Sequence, residues 1–157
     1  MSGTVTFTVN GQPVTTEASD EPLLLVLRNR LGLRATRFGC GLEQCGACMV
    51  EIDGAPRFAC GTPVEVLEGR AVTTPEGLDD PVGVALRDAF AAESAGQCGY
   101  CLAGILISAH ALLTGNPRPS RDQIVAALDG HLCRCGAHGA ILRAVARAAE
   151  RLQGAEA

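Results

Sequence analysis

Val5, Phe7 and Val9 alternate with threonines, and Val14 and Thr16 resume the alternation after Asn10-Gly11. A period of two on both sides of Asn-Gly predicts a β-hairpin, since both central residues of its tight turn need positive φ. Asp20-Glu21-Pro22 then precedes an apolar run, which predicts a helix with Pro22 at its first position and Gly32 as its stop. Beyond the Gly-rich segment 38–48, Met49 to Ile52 reads as a strand and Asp53-Gly54 as a second two-residue turn. That turn sets Ala47 opposite Cys60 and Cys48 opposite Ala59, so the hairpin returns one cysteine to another. Val64 to Val72 reads as one or two short strands. Thr73 to Pro81, with two prolines, one glycine and three acids, reads as an exposed linker.

Past that segment the period changes to that of a helix. A helix is expected near Val84 to Ala92. In Leu102 to Leu113, the residues Leu102, Ile105, Leu106, Ala109, Leu112 and Leu113 fall on one stripe, ended by Gly115-Asn116-Pro117. Ser120 with Gln123 has the form of a capping box for a helix bearing Ile124, Val125 and Leu128. A last helix from about Ala137 turns Ile141, Leu142, Val145 and Leu152 inward and Arg143, Arg147 and Arg151 outward, with residues 153–157 frayed. The pattern is α+β: a strand-rich unit over residues 1–76 and a four-helix unit over residues 77–157.

A chain of 157 residues that is 47% hydrophobic can bury one modest core or two small ones without disulfides. Cysteine is therefore free for chemistry. The start of the chain has no basic segment followed by an apolar one, and no apolar run reaches membrane-spanning length. A cytoplasmic home is expected, where cysteines are metal-binding or catalytic rather than paired. The net charge is −4, and every basic residue is an arginine, scattered without interleaved aromatics, which argues against nucleic-acid binding.

Four of the eight cysteines, Cys40, Cys45, Cys48 and Cys60, follow the order C-x4-C-x2-C and then a fourth after a short gap. This is the plant-type spacing for a [2Fe–2S] cluster. Gly39, Gly41 and Gly46 let the loop wrap around such a group, and Phe38, Leu42, Met49 and Phe58 are candidates to keep water off it. Cys98 and Cys101 precede the Leu102 helix, and Cys133 and Cys135 precede the Ile141 helix. Two helix N-termini would then converge on four sulfurs, where their partial positive charge favours thiolates. A thioredoxin-type dithiol needs a preceding strand, which Ala91 to Gly96 does not supply. Structural zinc with four cysteines is the competing reading. His110 reads as a surface or boundary residue. His131 and His138 flank the second pair and read as capping or exposed residues that can also meet sulfur or a partner. Gln97 and Tyr100 read equally as packing or as part of the site. Arg134 offsets cluster charge or points to water.

The runs Cys40-Gly41-Leu42-Glu43-Gln44-Cys45-Gly46-Ala47-Cys48, Gln97-Cys98-Gly99-Tyr100-Cys101 and Leu132-Cys133-Arg134-Cys135 resemble the iron–sulfur subunit of the xanthine dehydrogenase/aldehyde oxidase family of molybdenum hydroxylases. The resemblance covers nearly the whole chain. It implies a β-grasp ferredoxin domain, a helical domain, and two [2Fe–2S] clusters. It also implies a large partner subunit that binds most of a molybdopterin cofactor and oxidises an aldehyde or N-heterocycle. Cys98, Cys101, Cys133 and Cys135 would hold the cluster nearer molybdenum, with Gln97 and Cys135 approaching the pterin, and the other four cysteines would hold the cluster that passes electrons on. Where many relatives carry Cys-Arg-Cys-Thr-Gly-Tyr, this chain has Cys133-Arg134-Cys135-Gly136-Ala137-His138. That variant is more similar to the isoquinoline 1-oxidoreductase and nicotinate dehydrogenase type of small subunit; the implied acceptor is a cytochrome c, as in relatives of that type, or an FAD subunit, as in many others. With no nucleophile or nucleotide loop of its own, the chain is expected to transfer electrons and not to catalyse alone. An independent ferredoxin-like carrier is the alternative.

Overall fold

The computed structural model describes residues 3–155. Strands β1 (Thr4–Val9) and β2 (Gln12–Glu17) form the expected hairpin, Thr4 opposite Glu17 and Val9 opposite Gln12. Asn10 and Gly11 take φ of 51° and 77°, the turn that matches the twist of paired strands. β3 (Met49–Ile52) and β4 (Ala55–Phe58) form the second hairpin with Met49 opposite Phe58. β5 (Ala71–Thr73) lies at the centre of the sheet, whose order is β2-β1-β5-β3-β4. It runs parallel to β1 and antiparallel to β3.

Helix α1 (Leu23–Leu25) continues as a π-helical turn, Val26–Arg30, and is packed into the sheet. Leu23, Leu24, Val26 and Leu27 share one core with Val5, Phe7, Val50 and Val72, the helix-in-sheet arrangement of a β-grasp domain. Pro22 stands one residue before the helix, not at its first position: its ψ of 133° is extended and it bridges to Pro63. The chain from Val64 to Leu67 is a 3-10 turn, not a strand. Val64 and Leu67 are buried while Val66 is 55% exposed, so the apolar period there is three rather than two. Nor is 73–81 an exposed linker. Thr73 ends β5, Pro75–Gly77 is a 3-10 turn, and Thr74 and Leu78 are buried.

The second half is a bundle of α2 (Pro81–Ala92), α3 (Leu102–Gly115), α4 (Arg121–Leu128) and α5 (His138–Ala155). α2 starts three residues earlier than its apolar period suggests, because Asp80 caps it: its Oδ1 accepts from the Gly83 N–H at 2.8 Å, with Pro81 following. The Ser120–Gln123 capping box is present in full. Helix α5 runs on to Ala155, so residues 153–155, expected to fray, are helical, and 156–157 lie outside the described residues. Leu86, Phe90, Ile105, Ala109, Leu113, Ile141 and Val145 fill the bundle core.

Helix α3 joins the two halves because it is buried on two faces. Ile105, Ala109 and Leu113 form the expected stripe toward the bundle. Ile107 turns the other way and packs with Met49 of β3 and with Leu78. Gly104 allows closest approach: a Cβ there would lie 1.9 Å from the Gly46 carbonyl oxygen. No helix among the described residues is long and apolar enough to cross a membrane.

Candidate functional site

The loop between α1 and β3 carries Cys40, Cys45 and Cys48, and the residues after β4 carry Cys60. The N–H groups of Leu42 and Gln44 donate to Cys40 Sγ at 3.3 Å each, and the Cys40 N–H donates to Cys45 Sγ at 3.4 Å. The Gln44 and Leu42 donors draw the Cys40 thiol down to about 7. Gly39 cannot carry a side chain, since a Cβ would sit 2.6 Å from Cys45 Sγ. The Ala59 N–H donates to the Cys48 carbonyl at 3.2 Å, continuing the hairpin as predicted. Cys60 thereby reaches Cys48, whose thiol is pushed up to about 12, chiefly by burial.

In the bundle, Cys98 Sγ and Cys135 Sγ lie 3.4 Å apart, and the Cys101 and Cys133 thiols are near enough to shift one another's protonation. The starts of α3 and α5 therefore do meet, as expected. Burial raises the Cys101 thiol to about 12. Burial works the same way on Cys133, yet the Ala137 N–H at 3.4 Å, Cys101 and the Cys135 and Gly136 amides hold it below its ordinary value. Cys98 is exposed and also lowered, first by the Tyr100 amide and then by Cys135.

All eight thiols are free, and the sulfurs associate two by two: Cys40 with Cys45, Cys48 with Cys60, Cys98 with Cys135, Cys101 with Cys133. Two such pairs in each half suit a binuclear cluster, each iron taking two thiolates. A single zinc ion needs its ligands around one point at about 2.3 Å, and among the described residues no such convergence of three side chains occurs. The raised thiols fit as well. A buried thiolate such as that of Cys48 or Cys101 is costly unless a cation faces it, so metal binding would both drive and reward its deprotonation.

The two quartets flank one cleft of about 270 Å³, lined by Cys40, Cys45, Cys98, Cys101 and Cys133 among others. Its walls are tied together. The Leu132 N–H donates to the Cys45 carbonyl at 3.0 Å, the Tyr100 hydroxyl donates to the Phe38 carbonyl, and Arg37 lies 5.6 Å over the Tyr100 ring. Gln97 is exposed, its Nε2 3.5 Å from the Cys135 carbonyl oxygen. Arg134 and His138 are exposed too. Of the four residues expected to exclude water, Met49 is buried and Phe58 half-buried, but Phe38 and Leu42 are 53% and 69% exposed.

Both other histidines depart from expectation. His110, read as a surface or boundary residue, is buried. Its Nδ1 lies 2.6 Å from Glu51 Oε1 on β3 and its Nε2 3.0 Å from Asp80 Oδ2 at the start of α2. Burial opposes its charge, but the two carboxylates prevail and raise it to about 8. Glu51 sits at an inward strand position that alternation alone does not single out, so no local signal points to this bridge. His131, read as capping or exposed, is 5% exposed, with Nε2 2.7 Å from Ser108 Oγ. Burial takes it down to about 4.

Residues 7–77 match the family model for a 2Fe-2S iron-sulfur cluster binding domain, and residues 74–146 match that for a [2Fe-2S] binding domain. The chain is 49% identical over 152 residues to a nicotinate dehydrogenase subunit of Pseudomonas putida, covering 96% of this chain and 97% of that one. It is 49% identical over 148 residues to the alpha subunit of isoquinoline 1-oxidoreductase from Brevundimonas diminuta, covering 93% and 97%. The solved structure of quinoline 2-oxidoreductase from Pseudomonas putida 86 superposes with a TM-score of 0.88 at 36% identity, covering 99% of each chain. Paired sulfurs, a β-grasp half, a helical half and these likenesses converge on one conclusion: the chain belongs to the molybdenum hydroxylase family, as a small subunit with two [2Fe–2S]-binding domains.

Proposed function

We propose that the chain relays electrons from a molybdopterin site in a large partner subunit to an external acceptor, a cytochrome c or a flavin subunit. Cys98, Cys101, Cys133 and Cys135 hold the [2Fe–2S] cluster nearer the pterin, which Gln97 and Cys135 approach. Cys40, Cys45, Cys48 and Cys60 hold the second cluster, nearer the acceptor. When bound, the clusters supply one-electron transfer, for which protein side chains have no equivalent.

The chain's own residues position and insulate. The amides of Leu42, Gln44 and Ala137 stabilise thiolate charge, and the glycines of the first loop let the backbone come close. The observation that carries the reading is the shared cleft, with the Leu132 N–H to Cys45 carbonyl bond as a direct link between the two cysteine segments. Domains divide at about residue 76, and eight unpaired thiols support a cytoplasmic setting. The likenesses to nicotinate dehydrogenase and isoquinoline 1-oxidoreductase support an N-heteroaromatic substrate for the large subunit.

Co-purification tests this reading. The chain should leave the column with a molybdopterin-bearing chain, and rapid mixing with substrate should reduce the cluster of the helical domain before that of the β-grasp domain. A chain that elutes alone with its iron is an independent carrier, and the proposal then fails.

A further inference from the structure

Helix α3, the loop of the first cysteine quartet and the segment leading to Cys133 meet at a single side chain, His131. Its Nε2 lies 2.7 Å from Ser108 Oγ on α3, and both residues are buried. Its other nitrogen, Nδ1, is buried with no hydrogen-bond partner, so packing alone holds that edge of the ring. The packing partner is Gly46, between Cys45 and Cys48. A Cβ on Gly46 would lie 2.2 Å from His131 Nδ1 and 2.8 Å from Cε1 and Cγ. The ring thus occupies the space that any other residue at 46 would fill. The next residue, Leu132, donates its N–H to the Cys45 carbonyl, and the one after that is Cys133.

We infer that His131 is the positioning residue that sets the separation between the two cysteine quartets, and with it the rate at which electrons pass from one cluster to the other. The inference rests on the relay reading and goes beyond it by naming what fixes the gap. Electron tunnelling weakens steeply with distance, so a shift of the segment 131–133 against 45–46 changes the rate. A hydrogen bond on one side and a close-packed glycine on the other hold the ring between α3 and the cysteine loop. Leu132 alone cannot do this. Its side chain is 67% exposed, which leaves only its amide as anchor.

The test uses the complete complex, loaded with both clusters, and rapid-freeze EPR after mixing with substrate. Signals are assigned to each cluster with Cys45→Ser and Cys135→Ser complexes. His131→Ala is expected to retain iron and sulfide while the signal of the β-grasp cluster follows that of the helical cluster several-fold more slowly. His131→Gln, whose amide can reach Ser108 Oγ, should restore most of the rate. Ser108→Ala, which removes only the hydroxyl, should fall between. A purely structural role would lower thermal stability without changing the interval between the two signals. An unchanged interval in an iron-replete His131→Ala complex overturns the inference. Should that variant lose iron, an unchanged interval in Ser108→Ala overturns it instead. Failure of the relay reading looks different, because the wild-type complex itself would then pass no electrons between the clusters.

Discussion

The two cysteine quartets solve the same problem with different amounts of protein. The first lies between residues 40 and 60 and takes its amide donors from its own loop, with one hairpin to bring Cys60 back to Cys48. The second joins Cys98 to Cys135 across 37 residues, and that contact exists only if α3 and α5 are docked through the bundle core. One site is a local motif; the other is a product of tertiary packing. A site of the first kind tolerates loss of distant stability, whereas a site of the second kind reports on it.

The largest effect should come from the cysteines proposed as ligands. Cys135→Ser should lose the iron of the helical domain and stop reduction by substrate, and Cys45→Ser should lose that of the β-grasp domain and block only onward flow. Iron analysis with EPR checks this, since equal loss of both signals in each variant would erase the contrast between the sites.

Removing His110 should come next. His110→Leu leaves Glu51 buried without its partner, a loss of about 3–5 kcal/mol by the usual cost of breaking a buried pair. Because His110 ties β3 to the start of α2, denaturant melts should show the helical domain loosening first. Gly104→Ala should cost about 3 kcal/mol, the upper end of the usual overpacking range, since the new methyl meets the Gly46 carbonyl. It should perturb both EPR signals, because it strikes the seam between the halves.

The smallest effect is a pH dependence. His110 titrates at about 8 in the folded chain against an ordinary 6.5. Its protonated form therefore contributes stability in full below about pH 6.5, and that contribution is lost as pH rises through about 8. The drift amounts to about 2 kcal/mol, and chemical melts from pH 6 to 9 should show it in the wild type and not in His110→Leu.

Much of this architecture is legible in the residues alone. Both hairpin turns, the capping box and the registry of Cys48 with Ala59 follow from local rules, and the fold agrees on each of them. What eluded local reading shares one cause. The 3-10 turn at 64–67, the anchoring of the 73–81 segment through buried Thr74 and Leu78, the second face of α3 and the burial of His110 and His131 all arise where separate elements press together. A period describes how one element faces one core, and a residue caught between two cores obeys neither.

The sequence by itself determined the spacing of the cysteines, the two kinds of secondary structure and the turns that return the chain, because these depend on neighbours within a few residues. Only the tertiary structure decided that α3 is sandwiched, that His110 bridges Glu51 and Asp80, and that His131 is seated on Gly46. Those contacts join segments dozens of residues apart, and they form only when the apolar faces of both domains have been buried against each other.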